Sequence, residues 1–330
     1  MKISKDKILT THVGSLPRSE KVFKLIFARE AGEELDNNDY DRVIADAVKT
    51  VVMKQEEAGI DIVSDGEQSK ISYATYIKYR LNGFEGDSPR RTPRDLEEYP
   101  EFSARASKSG GVPTFTRPRC TGEVSVKDTK PMEIDLENFR NALQERAVSD
   151  AFMNAASPGV IAQFQPNDYY TDHRSYLFAL AEAMQVEYEG IAKAGFVIQI
   201  DSPDLALGRH VMFKDKSDSE FVAMVELHIE ALNHALENIP AEQLRLHVCW
   251  GNYQGPHHCD IEMKKILPAV LKAKPQALSF EGSNPRHSHE WTVFRDADIP
   301  EEKILIPGVL DSTTNFVEHP QLVAERICRF

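Results

Sequence analysis

The residues with the most chemistry to offer lie on one short run, Leu244-Arg245-Leu246-His247-Val248-Cys249-Trp250. By the two-residue period of an extended chain, Leu244, Leu246, Val248 and Trp250 share one face, and His247 and Cys249 share the other. Side chains two residues apart on a strand sit roughly 6.6 Å apart and point the same way. An imidazole and a thiolate so placed can both reach one zinc ion, at about 2.0 Å for nitrogen and about 2.3 Å for sulfur. A third candidate ligand, Glu281, closes the next apolar run, Ala277-Leu278-Ser279-Phe280-Glu281. Three ligands at strand ends, with one position open, describe a catalytic rather than a structural zinc. The plainer alternative is a buried histidine beside a core cysteine, and Glu281 on the next run weighs against it. The tract His257-His258-Cys259, beside Gly255-Pro256, reads as a mobile surface loop, and His287 and His289, after Pro285, read as exposed.

These groups need a scaffold that brings strand ends together. The chain alternates short β-rich runs with longer helical patterns. The first run is Ile8-Leu9-Thr10-Thr11-His12-Val13-Gly14-Ser15, and helical spacing follows at Val43, Ile44, Ala47, Val51 and Val52. Then comes Gly59-Ile60-Asp61-Ile62-Val63-Ser64-Asp65, echoed by Gly195-Phe196-Val197-Ile198-Gln199-Ile200-Asp201. Both times Ala-Gly ends a helix and an Asp stands six residues after the Gly, as expected of a helix C-cap that feeds a parallel strand. Further strands are predicted at 160–165, 244–250, 277–281 and 303–308, and helices at 134–156, 173–194, 218–237 and 260–273. Seven strands, each followed by a helix or a long insertion, predict an α/β fold of the TIM (β/α)8 type, with 1–330 as a single catalytic domain. An eighth strand is expected after the helix that begins near His319. The sequence runs to Phe330 inside that helix, so the eighth strand is expected to be missing from this chain. The Pro-, Gly- and Arg-rich segment at about 82–131, including Ser109-Gly110-Gly111-Val112-Pro113, reads as an insertion, a hairpin or a lid.

Bulk properties agree. The 330 residues exceed a typical domain but suit one barrel, and 41% hydrophobic residues allow a large core. A net charge of −13 argues against nucleic acid and against an anionic membrane surface. No apolar run approaches the ~20 residues of a membrane span, and Met1-Lys2-Ile3-Ser4-Lys5-Asp6-Lys7 lacks the apolar core of a signal peptide. Cys120, Cys249, Cys259 and Cys328 show no paired framework, which fits a reducing compartment. The expectation is a cytoplasmic enzyme.

In such barrels function sits at the C-terminal strand ends. There the chain places His12, Gly14 and Ser15, then Asp65, Gly66 and Glu67, then Gln165, Asp201, His247 with Cys249, Glu281 and Asp311. One Asp after one strand is more often a helix N-cap. Polar groups at seven strand ends in register argue for one convergent site.

These motifs resemble the catalytic barrel of the cobalamin-independent methionine synthase family. Thr10-Thr11-His12-Val13-Gly14-Ser15-Leu16-Pro17-Arg18 is similar to its opening strand, whose Gly-Ser contacts the amino-acid substrate. The resemblance therefore implies substrate binding at Gly14 and Ser15, with His12 beside them. Asp65-Gly66-Glu67 is similar to its His-Gly-Glu, and Gln199-Ile200-Asp201-Ser202-Pro203-Asp204-Leu205 to its Gln-Ile-Asp-Glu-Pro-Ala-Leu. In both, the carboxylate binds the substrate's amino group, which implies that role for Glu67 and Asp201. His247-x-Cys249 and Glu281 fall on the family's zinc ligands, and Pro307-Gly308-Val309-Leu310-Asp311 looks like its Pro-Gly-Val-Tyr-Asp. Gln163-Phe164 stands where the family has the Gln-Trp of a pterin-binding platform on its third strand.

The chain also departs from the family. Ser202 replaces a Glu, and Ser312-Thr313-Thr314 replaces an Ile-His-Ser whose histidine assists proton transfer. The family's fourth zinc ligand is a cysteine on the eighth strand and is expected beyond Phe330; Cys328 lies in the preceding helix, and Cys259 is a weak substitute. The resemblance implies zinc-dependent transfer of a methyl or other alkyl group to a thiol, with homocysteine as acceptor and a methylated folate or related donor. Alkyl transfer or epoxide opening with a small thiol such as coenzyme M is an alternative. A binding protein with a vestigial zinc site, or a decarboxylase on a uroporphyrinogen decarboxylase-like barrel, stands further off.

Overall fold

A computed structural model describes residues 1–109, 115–144 and 146–330. Gly110, Gly111, Val112 and Pro113 of the glycine-rich tract lie outside the described residues.

Two helices, α1 (Glu20–Glu30) and α2 (Asn37–Glu57), precede the short strand β1 (Ile62–Val63). Ser19 and Asp36 cap them, each side chain accepting a backbone N–H of the first turn. Next comes the insertion: β2 (Leu81–Glu85), α3 (Arg94–Glu97), α4 (Pro100–Ser109) and β3 (Arg119–Val126). β2 and β3 pair as an antiparallel hairpin outside the main sheet, so the hairpin form of the insertion is the one observed. The α/β alternation then resumes with α5 (Lys130–Leu143), β4 (Asp150–Ala156), α6 (Pro158–Phe164), α7 (His173–Lys193), β5 (Val197–Asp201), α8 (Gly208–Val211) and α9 (Asp218–Ala235). It ends with β6 (Leu244–His247), α10 (Met263–Val270), β7 (Ala277–Glu281), α11 (Trp291–Asp296), β8 (Ile304–Gly308) and α12 (Pro320–Arg329).

Both Ala-Gly signals mark helix ends. Gly59 and Gly195 follow α2 and α7 with φ of 78° and 90°, a left-handed conformation that glycine adopts without a Cβ clash. Two expectations fail. The run 8–15 forms no strand beyond a single bridge from Thr11 to Ile62. The segment 160–165 is not a strand but helix α6, started by Ser157, whose side chain accepts from Val160 N, and by Pro158 in the first turn. The strand is instead Asp150–Ala156, inside the stretch expected to be helical. It is buried almost throughout, so the polar/apolar alternation of a half-exposed strand is missing.

The main sheet is parallel with order β1-β4-β5-β6-β7-β8, and Thr11 pairs in parallel with Ile62 on the far side of β1. This is a curled half-barrel: a TIM-type architecture that does not close between Thr11 and β8 among the described residues. Register stacks the inward side chains in layers. Phe152 lies opposite Val197, Asn154 opposite Gln199, Gln199 opposite Arg245, and Asp201 opposite His247. At the bottom Ile62, Phe152 and Val197 form an apolar plug against Met1 and Leu9. Arg245 is fully buried above it, with its guanidinium 3.6 Å from the Phe152 ring centre. Outward residues such as Ile198, Ile200, Leu246, Val248 and Phe280 join the core under the helices.

Arg80, just before the hairpin, pairs with Asp135 of α5 and Glu187 of α7, all three side chains under 10% exposed. Tyr76 donates to Glu187, and the Lys70 ammonium sits 4.4 Å from the Tyr76 ring centre. Replacing Arg80 by Met leaves two buried carboxylates without their cation, so stability is expected to fall by about 3–5 kcal/mol. Urea unfolding measures this, and an unchanged midpoint would show that the network is inert.

Candidate active site at the strand ends

Glu67 follows β1 in an unusual backbone. Gly66 and Glu67 have φ of 64° and 54°, and Glu67 is the sole non-glycine with positive φ among the described residues. The turn is held from three sides: Asp65 accepts from Glu67 N at 3.0 Å, Leu16 N donates to Gly66 O at 3.1 Å, and Arg18 donates to the carbonyls of Glu67 and Lys70 at 2.6 and 2.8 Å. The Glu67 carboxyl is 3% exposed, and burial, with Asp201 and Asp65 nearby, pushes its pKa up to about 7. Gly14 passes so close that a Cβ there would lie 2.7 Å from Glu67 Oε1 and 2.8 Å from Asn154 Nδ2.

Asp201 ends β5. Its oxygens accept from Asn154 Nδ2 at 2.9 Å and Gln199 Nε2 at 2.8 Å, and His247 Nδ1 lies 3.0 Å from Oδ1. Asn154 also donates to Val13 O at 3.0 Å, and Lys70 donates to Asn154 O at 2.6 Å. Beneath them Arg245 donates to Gln199 Oε1, Thr11 Oγ1 and His12 O at 2.6, 3.1 and 2.7 Å. The polar layer thereby ties the first strand segment, the thinnest part of the sheet, to β5 and β6.

His247 closes β6, and Cys249 lies two residues on, where Val248 N still donates to Ser279 O at 2.9 Å. Cys249 Sγ is 3.7 Å from Glu281 Oε1, which also accepts from Trp250 N at 3.1 Å. Asn284 and Arg286 hold the other Glu281 oxygen, Arg286 at 3.0 Å. Gly251 N donates to Cys249 Sγ at 3.2 Å. Burial first, then the Glu281 charge, push the Cys249 thiol far above the ordinary cysteine range. Arg286 pairs with one Glu281 oxygen, and the other faces the thiol. Imidazole, thiol and carboxylate are donor types that a borderline-soft transition ion accepts together, but as placed here the ligand atoms of His247, Cys249 and Glu281 do not all lie within 4.8 Å of one another. The Asp201 contact does suit a metal, since a ligating histidine normally gives its second ring nitrogen to a carboxylate.

Other expected site residues are placed differently. Ser15 is exposed beside the buried Gly14. His12 has Nε2 2.6 Å from Gln55 Oε1, takes Gly14 N on Nδ1 at 3.3 Å and packs on Phe152, with its pKa lowered by burial. Both its nitrogens therefore serve the fold. Gln163 and Phe164 are on α6, not on a strand. Phe164 meets the Tyr73 ring at 5.8 Å and the Arg117 guanidinium at 4.9 Å, whereas Gln163 is buried with neither amide atom hydrogen-bonded and lies against Gly208. Tyr73 was not foreseen: burial, with Cys249, Asp201 and Glu67 nearby, raises its pKa and keeps the hydroxyl protonated. Asn154 and Lys70 were also missed. Asn154 becomes readable once β4 is placed correctly; Lys70, on an irregular turn, carries no sequence signal.

Two readings of histidines are corrected. His257 is not part of a mobile surface tract: its side chain is 1% exposed, with Nδ1 3.0 Å from Asp260. His287 is buried between Asp260 and Glu290, whereas His289 is exposed as expected. A cavity of about 350 Å³ lies against α2 and α5 and includes none of Glu67, Asp201, His247, Cys249 or Glu281.

Residues 8–90 match the family described as cobalamin-independent synthase, catalytic domain. A methionine synthase of Sulfolobus acidocaldarius is 27% identical over 264 residues, 79% of this chain and 67% of that protein. One of Saccharolobus solfataricus is 26% identical over 260 residues, 78% of this chain and 68% of that protein. The chain thus spans about two thirds of the length of these curated relatives. Among solved structures, a B12-independent methionine synthase from Shewanella sp. W3-18-1, in complex with selenomethionine, superposes with a TM-score of 0.65 at 20% identity, covering 90% of this chain and 79% of that one.

Proposed function

We propose that this chain, a relative of the cobalamin-independent methionine synthases, is a methyltransferase that moves a methyl group onto the sulfur of an amino-acid thiol, homocysteine being the acceptor of best fit. The reading rests on one juxtaposition: two buried carboxylates, Glu67 and Asp201, stand near enough for each charge to act on the other, with Gly14 packed against Glu67 and Asn154, and Asp201 also touches His247, two residues before Cys249 of the Cys249–Glu281 pair. An amino acid whose ammonium lies between Glu67 and Asp201 can present its sulfur toward Cys249. His247, Cys249 and Glu281 would hold zinc, which when bound supplies a thiolate from the substrate thiol at neutral pH. The protein's own groups orient the sulfur. The ammonium would be fixed by the carboxylates, and Asp201 holds the His247 ring. The S–C bond then forms as the donor's N–C bond breaks; the thiol gives up its proton on becoming a thiolate and the departing nitrogen takes one up, so the step is balanced with no net proton. A methylated folate is the donor class, with Phe164, Arg117 and Tyr73 as the surface it would meet. A thiol without an amine, such as coenzyme M, gains nothing from the two carboxylates. The free cysteines support a reducing compartment, the cytoplasm; among the described residues no helix is long and apolar enough to cross a membrane. The direct test is methyl transfer to homocysteine against coenzyme M with zinc-loaded protein; equal rates would sink the acceptor assignment.

The raised pKa of Glu67 makes ligand binding pH-dependent. Only the carboxylate attracts an ammonium, and its population grows as pH rises through about 7. Affinity for methionine, which has no thiol to titrate, is expected to rise between pH 6 and pH 8 by up to ~10-fold per unit, then level off. Calorimetric titration measures it, and Glu67→Gln should flatten the profile. A flat profile in the unmodified protein would show that Glu67 is already ionised at pH 6.

A further inference from the structure

The loop after β6 folds back onto the insertion and builds a second group of metal-type donors. Asp95 of α3, His210 of α8, and His257 and Asp260 of the loop offer ligand atoms that all lie within 4.8 Å of one another. His210 Nε2 is 3.0 Å from Asp260 Oδ1, and His210 Nδ1 is 3.4 Å from Asp95 Oδ1. His257 Nδ1 is 3.0 Å from Asp260 Oδ2. Asp95 and His210 are both fully buried. Yet neither ring nitrogen of His210, nor Asp95 Oδ2, meets hydrogen-bond geometry with any partner among the described residues. The atoms are near each other without pointing their hydrogens and lone pairs at each other. Orphaned buried polar atoms are expensive; a cation taken by one His210 nitrogen and by Asp95 Oδ2 would satisfy those two and leave the second ring nitrogen as an N–H facing the remaining carboxylate.

The surroundings suit an ion as well. Tyr253 OH donates to Asp95 Oδ1 at 2.9 Å and leaves Oδ2 free. His257 Nε2 lies 3.2 Å from Tyr253 O, and His287 Nε2 lies 3.0 Å from Asp260 Oδ2. Backbone and imidazole partners of this kind orient ligating groups. A cavity of about 220 Å³ bordered by His258 and Cys259 reaches His210 and Asp260 and supplies an entry path.

We propose that Asp95, His210, His257 and Asp260 form a second metal site, for a divalent transition ion of the zinc class, that pins the insertion to the loop carrying Cys249. Two imidazoles and two carboxylates make a complete four-ligand set, so the site is structural and binds no substrate. Its rival is a metal-free latch in which protonated histidines pair with the carboxylates. The site stands independently of the proposed reaction.

The test removes the strand-end thiol first. The Cys249→Ser full-length chain, dialysed against excess zinc and then against metal-free buffer, is expected to keep about one equivalent. The Cys249→Ser/Asp95→Asn/His257→Ala variant should keep almost none, with circular dichroism verifying its fold. Cobalt in the single variant should give tetrahedral d–d bands without a sulfur-to-cobalt charge-transfer band. No retained metal in Cys249→Ser would favour the latch and overturn the proposal. A sulfur band there would place the ion at Cys259 and overturn it too, as would full metal in the triple variant. Two equivalents in Cys249→Ser would unseat the strand-end ligands and leave this site standing. Should the triple variant fail to fold, Cys249→Ser/Asp95→Asn, nearly isosteric at the second site, is read for the same loss of metal.

Discussion

The Cys249→Ser variant is expected to lose the proposed strand-end metal and, with it, the proposed methyl transfer. Serine is smaller, its hydroxyl is a harder donor, and it is not deprotonated near neutral pH, so it cannot replace a thiolate in a mixed nitrogen, sulfur and oxygen set. Removing even a supporting hydrogen bond around a metal weakens affinity by about 10–100-fold, so losing a ligand should weaken it by ~100-fold or more. The Sγ atom lies 3.7 Å from Glu281 and takes the Gly251 N–H at 3.2 Å, and a serine hydroxyl can keep that second contact. The fold should therefore survive. Competition with a chromophoric chelator reads the affinity, and a radiolabelled methyl donor reads the activity. Unchanged values for both would remove Cys249 from the site.

The second large effect is Glu67→Gln. The amide keeps the carboxylate's shape inside the turn set by Asp65, Arg18 and Leu16, but it removes the charge that faces an ammonium. A buried charge-assisted hydrogen bond contributes about 1.5–3 kcal/mol, so KM for homocysteine should rise by ~10–100-fold. A thiol without an amine should react no worse than before. Stability at pH 8 should rise, because the carboxyl that burial opposes ionising is gone. Weaker substrate binding in a more stable protein is the signature of a group placed for function. A uniform loss with both thiols, together with lower stability, would make Glu67 a structural residue instead.

Much of the fold was legible from local signals. The face pattern of 244–250, the two Ala-Gly helix ends and the serial strands depend on neighbouring residues only, and the open half-barrel follows from them. Two strand ends could also be read ahead, Asp201 with His247 opposite. What failed was β4. Phe152-Met153-Asn154-Ala155-Ala156 is buried on both faces and shows no alternation, so the next apolar stretch was taken for the strand even though Ser157-Pro158 announces a helix. Asn154, which donates to Asp201, was lost with it. The Asp95, His210, His257 and Asp260 group joins an insertion, a short helix and a loop from three separate parts of the chain. Nothing local marks such a meeting, and His257 could only look like one of three polar residues in a row.

The sheet's open side has a consequence for how the molecule breathes. Its outermost members are the single Thr11 pairing and β8, which is half-exposed along its length; they should open first, and their amides should exchange with solvent fastest. The strand-end site is spread across the sheet, with Glu67 near one edge, Glu281 on the last strand but one, and Asp201 and His247 at the centre. A ligand that spans Glu67 to Asp201, or an ion that spans Cys249 to Glu281, bridges strands that fray independently. Occupancy should slow deuterium uptake in β1 and β7 more than in β5, so that in an unclosed barrel binding performs part of the clasping that closure would otherwise supply.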